Sequence, residues 1–212
     1  MSTLRGHVHA VSTVLLAVLL LPGCATYVGD RLLKLPRDAA ATDADVIEQT
    51  RARVRELVES LGLPGERAAK LLEIAPTGVI RDTQPLKSEF IDRQLVLAEG
   101  DADIAFASNC IIIAPGILHV SHSGNNVIVA DGDVDISHDG SLAQGSLVVS
   151  RGRVTIGHAA DTLVYAPGGV EISHANGVRA FNTPDRQSSW GEIDNLTIKP
   201  LFREEARSGT RP

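Results

Sequence analysis

The sequence predicts a mainly β fold: a short parallel β-helix, or solenoid, of about five 16-residue coils, preceded by a small N-terminal helical segment. Three observations predict it. Gly100, Gly116, Gly132, Gly152 and Gly168 recur at spacings of 16, 16, 20 and 16. An apolar triplet stands at a fixed distance before each: Leu95-Val96-Leu97, Ile111-Ile112-Ile113, Val127-Ile128-Val129, Leu147-Val148-Val149 and Leu163-Val164-Tyr165. Two and four residues after each glycine come Ala102/Ile104, Leu118/Val120, Val134/Ile136, Val154/Ile156 and Val170/Ile172, with polar or small residues between them in most coils. A fixed short period marks stacked structural units, and an alternation of two marks strands with one buried face. The rival is an antiparallel meander. Asp131-Gly132 would suit a hairpin and Pro167-Gly168-Gly169 a tight turn. Among the aligned turns, however, only Asp131-Gly132 is a strong hairpin signal.

The elements follow in order. Residues 1–23 read as a targeting segment: Arg5 makes the start weakly positive, and Val11 to Leu21 is a largely apolar run of 11 residues, with only Ser12 and Thr13 polar, too short to span a bilayer as a helix. Leu21-Pro22-Gly23-Cys24 then resembles a bacterial lipobox, with Pro22 departing from the usual small or β-branched residue. The resemblance implies removal of residues 1–23, lipidation of Cys24 and a membrane anchor. Ala25 after the cysteine resembles the outer-membrane sorting pattern, which implies the periplasmic face of that membrane. A diacylated Cys24 supplies two chains, enough for stable anchoring.

Residues 24–42 read as a tether. Residues 43–61 read as an amphipathic helix with Ile47, Val54, Val58 and Leu61 on one stripe, ended by Gly62. A second short helix is expected over about 65–75, so that 43–75 forms a helical hairpin. Residues 76–93, with Pro76, Gly78 and Pro85, read as a connector, 94–184 as the solenoid with a degraded sixth unit at 178–184, and 185–212 as a C-terminal cap and tail.

A lone coil cannot bury enough apolar surface to offset the ordering of its backbone, so the array is stable only as a set. With the flanks of each triplet inward, the middle residues Val96, Ile112, Ile128, Val148 and Val164 would point outward as an apolar strip. Solvent-facing strands rarely carry such a strip. The helices of 43–75 are the expected cover, and a second subunit or a partner protein the alternative. Open solenoid ends expose strand edges, which the helical N-terminus and the tail are expected to cap.

The chain carries a net charge of −6, or −7 once Arg5 is removed with the leader. This argues against nucleic acid as a partner. Apart from Cys24 the only thiol is Cys110, in an apolar run that suits a small buried hydrophobe.

Six residues past each glycine stand Phe106, His122, His138, His158 and His174. They are in phase with the core positions, so an inward or corner location is expected, with neutral imidazoles stacked in a ladder. The same His122, His138, His158 and His174 are candidate ligands for zinc or another transition metal. No HxxxH, HExxH or Cys/His cluster accompanies them. Asp101, Asp103, His119, Asp133 and Asp135 form a second candidate face, either a solvated surface or a shallow cation or sugar site. The four extra residues of one coil, within 139–146, predict a protruding loop.

Three functions are weighed. The first is a non-enzymatic, membrane-anchored envelope lipoprotein acting as a scaffold or interaction module, through self-association or another envelope protein. The second is a periplasmic metal-binding module built on the histidine column. The third is a polysaccharide-active enzyme, disfavoured because no nucleophile–base set or carboxylate pair stands out. The short coils are loosely similar to those of the polymer-forming bactofilins. The lipobox, the N-terminal helices and the histidine column depart from that pattern, so polymerisation is not carried over.

Overall fold

The computed structural model describes residues 33, 41–63, 66–82, 85–140 and 144–198. The targeting segment, Cys24, nearly all of the tether, residues 141–143 and the end of the tail lie outside the described residues. Helix α1 spans Asp43–Leu61 as the sequence predicts. Thr42 accepts a hydrogen bond from the Asp45 backbone N–H while the Asp45 carboxylate accepts from the Thr42 N–H, a reciprocal capping box. Gly62 ends the helix in the left-handed conformation, φ 62°, its N–H donating to Glu59 O. Helix α2 is shorter than expected, Glu66–Leu72. Its last turn tightens through bonds from Glu73 N to Lys70 O and Ile74 N to Leu71 O.

Among the described residues fifteen strands follow in two sheets. One has the order β1 (Gly78–Asp82), β3 (Gln94–Ala98), β5 (Ile111–Ala114), β7 (Val127–Ala130), β9 (Leu147–Ser150), β11 (Leu163–Tyr165), β13 (Val178–Phe181) and β15 (Ile193–Leu196). The other has the order β2 (Leu86–Asp92), β4 (Ala102–Ser108), β6 (Leu118–Gly124), β8 (Val134–Asp139), β10 (Val154–Ala160), β12 (Val170–Asn176) and β14 (Arg186–Trp190). Each strand pairs in parallel with the strand two further on, not with its sequence neighbour. This is a parallel β-solenoid and excludes the meander. At about 4.8 Å per coil the odd-numbered sheet is roughly 34 Å long.

The array is longer than expected, with about seven turns. The presumed connector supplies β1 and β2, and the presumed cap supplies β14 and β15. Pro76, Gly78 and Pro85 lie at or between strand ends, where they do not interrupt the ladder, and Leu86 and Ile91 take core positions.

The triplets face the opposite way from the expectation. Val96, Ile112, Ile128, Val148 and Val164 point into the solenoid and join Ile104, Val120, Ile136, Ile156 and Ile172 in its core. The flanking residues point outward, so each coil presents two apolar side chains, not one. They do need a cover, and α1 and α2 supply it. Leu95, Ile111, Ile113, Val127, Val129, Leu147, Val149, Leu163 and Tyr165 share one buried cluster with Ile47, Val54, Leu57, Val58, Leu61, Ala68 and Leu71. The phase is set two residues on: Ala98, Ala114, Ala130, Ser150 and Ala166 fill the narrow interior corner and alternate with the inward middle residues.

The helical cover is tied at both ends. Arg81 of β1 donates to Asp43 at the start of α1, at 3.3 Å. Arg67 of α2 donates to Gln144 Oε1 and Gly145 O in the inserted segment. Among the described residues no helix is long and apolar enough to cross a membrane.

Candidate functional site

The even-numbered sheet turns its outer face to solvent, and the histidine column stands on that face. Each strand alternates normally through its first residues and then slips. In β12, Val170 and Ile172 are buried, Ser173 and His174 both face out, and Ala175 is buried again. Two consecutive outward residues bend the strand at a corner. The column is therefore at a corner, as one branch of the expectation had it, but outward. The inward branch fails because it assumed unbroken alternation.

Parallel register stacks the rings. Phe90, Phe106, His122, His138, His158, His174 and Trp190 are aligned through the pairs Phe90↔Phe106, Phe106↔His122, His122↔His138, His138↔His158, His158↔His174 and His174↔Trp190. From Phe106 to His174 successive centroids are 4.5, 5.0, 4.9 and 4.3 Å apart and successive planes within 8° of parallel. Phe90 and Trp190 close the column at 6.5 and 6.1 Å, tilted by 38° and 41°. His158 is held below the usual imidazole range by desolvation within the stack, and further by His174 and His138. The Nδ1 atoms of His122 and His138 are buried and have no hydrogen-bond partner among the described residues.

This stacking bears on metal binding. An imidazole nitrogen directs its lone pair within its ring plane. Rings whose planes are nearly parallel and whose centroids are more than 4 Å apart share no in-plane point where one ion could meet two lone pairs. Shared coordination by His122, His138, His158 and His174 would require the rings to turn out of the stack. No group of three or more His, Cys, Asp or Glu among the described residues is disposed to hold a metal ion.

The second candidate face divides in two. Asp103, His119 and Asp135 lie in one outward column with Lys87, Thr155, Glu171 and Gln187. His119 Nδ1 lies 3.5 Å from Asp135 Oδ2. Asp101 and Asp133 sit apart, at the glycine corner. Each accepts the backbone N–H of the residue one coil on, Ile117 N to Asp101 Oδ1 and Arg153 N to Asp133 Oδ1, both at 2.8 Å. These two carboxylates bridge coils.

A third constellation went unread in the sequence. Asp139 is 2% exposed, in the interior column that elsewhere holds Ile91, Ala107, Ser123, Ala159 and Ala175. It accepts from Ser146 N at 2.7 Å, Ser146 Oγ at 2.7 Å and Thr162 Oγ1 at 2.6 Å. Ser146 Oγ also bonds Ser123 Oγ, and Asn126 Nδ2 donates to Ser123 Oγ. Burial outweighs these donors and raises the Asp139 carboxyl above its ordinary range. The network tucks the start and end of the inserted segment into the solenoid wall. The signal available was an acid in a column of apolar or small residues at the edge of the insertion. Cys110, in the next interior column, is fully buried, and burial raises its thiol pKa.

Solenoid, helical cover and open ring-bearing face define a repeat protein with one sheltered and one free sheet surface. No known protein family, curated protein or solved structure matches the chain.

Proposed function

We propose that the protein is a non-enzymatic, membrane-anchored envelope lipoprotein whose solenoid serves as a scaffold or protein-interaction module. The observation that carries the interaction half is the contrast between the two sheet faces. The chain covers its own odd-numbered sheet with α1 and α2, yet leaves a row of rings exposed on the even-numbered sheet. Among them Phe90 and Trp190 are 69% and 65% exposed. Contiguous exposed aromatics mark interaction surfaces. The anchoring half is supported by Leu21-Pro22-Gly23-Cys24, and Ala25 favours the periplasmic face of the outer membrane.

Lipidation is tested by mass spectrometry of the protein recovered from membranes. Two acyl chains and a new terminus at Cys24 are expected, both lost in Cys24→Ser. An unmodified Cys24 in the mature chain would refute the anchor. The interaction half is tested by in-cell photo-crosslinking from position 106. An adduct is expected, and its absence there and at position 122 would refute that half.

A further inference from the structure

We propose that the outer face of the even-numbered sheet is the docking surface for a second copy of this chain, packed face to face with the coil order reversed and offset by one coil. The proposal deepens, and rests on, the reading of the solenoid as an interaction module.

Three observations carry it. The first is where the exposed aromatics lie: Phe90, Phe106 and Trp190 are 69%, 37% and 65% exposed and all belong to the one ring column. Aromatic rings are the side chains most enriched in interface cores. The second is flatness. Between the ring column and the Lys87–Gln187 column stand Glu89, Ala105, Ser121, Ser137, Gly157, Ser173 and Ser189, all small except Glu89 in the first coil, which the offset sets against Ser173. Small residues there let another sheet approach closely. Displaced by one coil, six overlapping strands by four or five outward-side positions give roughly 30 by 15 Å. That is about 900 Å² over two copies, the size of a weak, reversible interface.

The third observation is charge. From β2 to β14 the outer column reads Lys87, Asp103, His119, Asp135, Thr155, Glu171 and Gln187. A two-fold axis parallel to the strands lays this column on itself in reverse. In full overlap Asp103 would meet Glu171, and Asp135 its own symmetry mate, both repulsive. Displaced by one coil, with the axis between β6 and β8, Lys87 meets Glu171, Asp103 meets Thr155, and His119 meets Asp135. The same displacement sets Phe90 against His174, Phe106 against His158 and His122 against His138. One offset thus gives the column's only permanent cation an acid, removes both like-charge encounters within that column and keeps ring against ring over six coils, with Gln187 and Trp190 overhanging.

The test is sedimentation of the full chain in detergent at about pH 7.5, over a concentration series. A reversible dimer is expected. Lys87→Glu and Glu171→Lys should each weaken it roughly tenfold, since the symmetry breaks two pairs at once. Lys87→Glu/Glu171→Lys together should restore it, with unchanged circular dichroism showing that every variant folds. Phe90→Ser/Phe106→Ser should weaken it more than either charge change. A chain monomeric throughout would overturn both this face and the self-association on which it rests. A dimer indifferent to these changes, or one the charge swap fails to restore, would overturn this face alone and leave association through another surface.

Discussion

Gly132→Ala isolates what the glycine column does. The glycine is not there for a left-handed turn: the positive-φ residues lie elsewhere, at Asn109 and Asn125 among others. A Cβ built at 132 would stand 2.5 Å from the carbonyl oxygen of Gly116, 2.7 Å from its carbon and 3.1 Å from Ile117 N. Ordinary contact begins near 3.4 Å, so two coils would have to part by close to an ångström at this corner. The obstacle is backbone, held by the bonds Asp131 N to Ala114 O at 3.1 Å and Leu118 N to Asp133 O at 3.0 Å. Overpacking of this kind costs about 1–3 kcal/mol. Removing a glycine from the unfolded chain returns about 0.4–1 kcal/mol. The net expectation is a loss of roughly 1–2 kcal/mol, read as a lower urea midpoint at unchanged m. Gly62 supplies the contrast. Its φ is 62°, and nothing among the described residues lies within 4 Å of its added Cβ. Asparagine accepts that backbone, so Gly62→Asn should change stability by no more than about 0.5 kcal/mol, whereas Gly132→Asn should cost at least as much as alanine. A Gly132→Ala protein as stable as the parent would refute the reasoning.

Leu57, 2% exposed in the helical cover, should cost about 2–5 kcal/mol when replaced by alanine. Equal urea midpoints would mean that the cover contributes no stability. Asp139→Asn keeps an acceptor for Ser146 N and Thr162 Oγ1 but removes the buried charge. Because the folded carboxyl is raised above its unfolded value, its contribution is full at low pH and is lost as pH rises through the folded value. The advantage of Asp139→Asn over wild type should therefore grow with pH, and an advantage that shrinks would count against this account. The lowered His158 imidazole acts in the opposite sense. Its contribution is present above the unfolded value of about 6.5 and is lost as pH falls. His158→Phe keeps the stack and should lose less melting temperature than wild type between about pH 7.5 and 5. Equal losses in the two proteins would sink that assignment.

The solenoid was legible because its period is written into side chains that only stacking can satisfy. The +2 and +4 core positions and α1 follow from alternation and helical spacing, and both stand where the sequence puts them. The phase of the triplets was not legible from the triplets alone, since all three residues are buried or, at Leu97, half-buried, one inside the solenoid and two beneath the helices. The alanine column at 98, 114, 130 and 166 held the missing information. The outer coils were hidden because β1–β2 and β14–β15 lack the triplet-and-glycine phrase, and parallel pairing with a neighbour holds them in place regardless. The ring column was found, but its direction depended on a two-residue slip that alternation does not anticipate. Asp139 was passed over because its partners Ser123, Ser146 and Thr162 come from three different coils.

The same geometry separates structural from recognition roles on this surface. Asp101 and Asp133 looked like part of an acidic face, yet each binds a backbone N–H of the coil after its own. Removing either would loosen the wall whatever the surface binds. Among the described residues Asp103, His119 and Asp135, two residues further along the strands, engage no backbone of the next coil. The rings beyond them turn one edge to solvent while their faces are spent on one another. An edge array repeating once per coil cannot stack on a planar ligand except at its ends, at Phe90 and Trp190. What it can meet along its length is another regular surface with the same spacing, which is a β-sheet. A solenoid is the structure in which that spacing is built into both partners when the partner is itself.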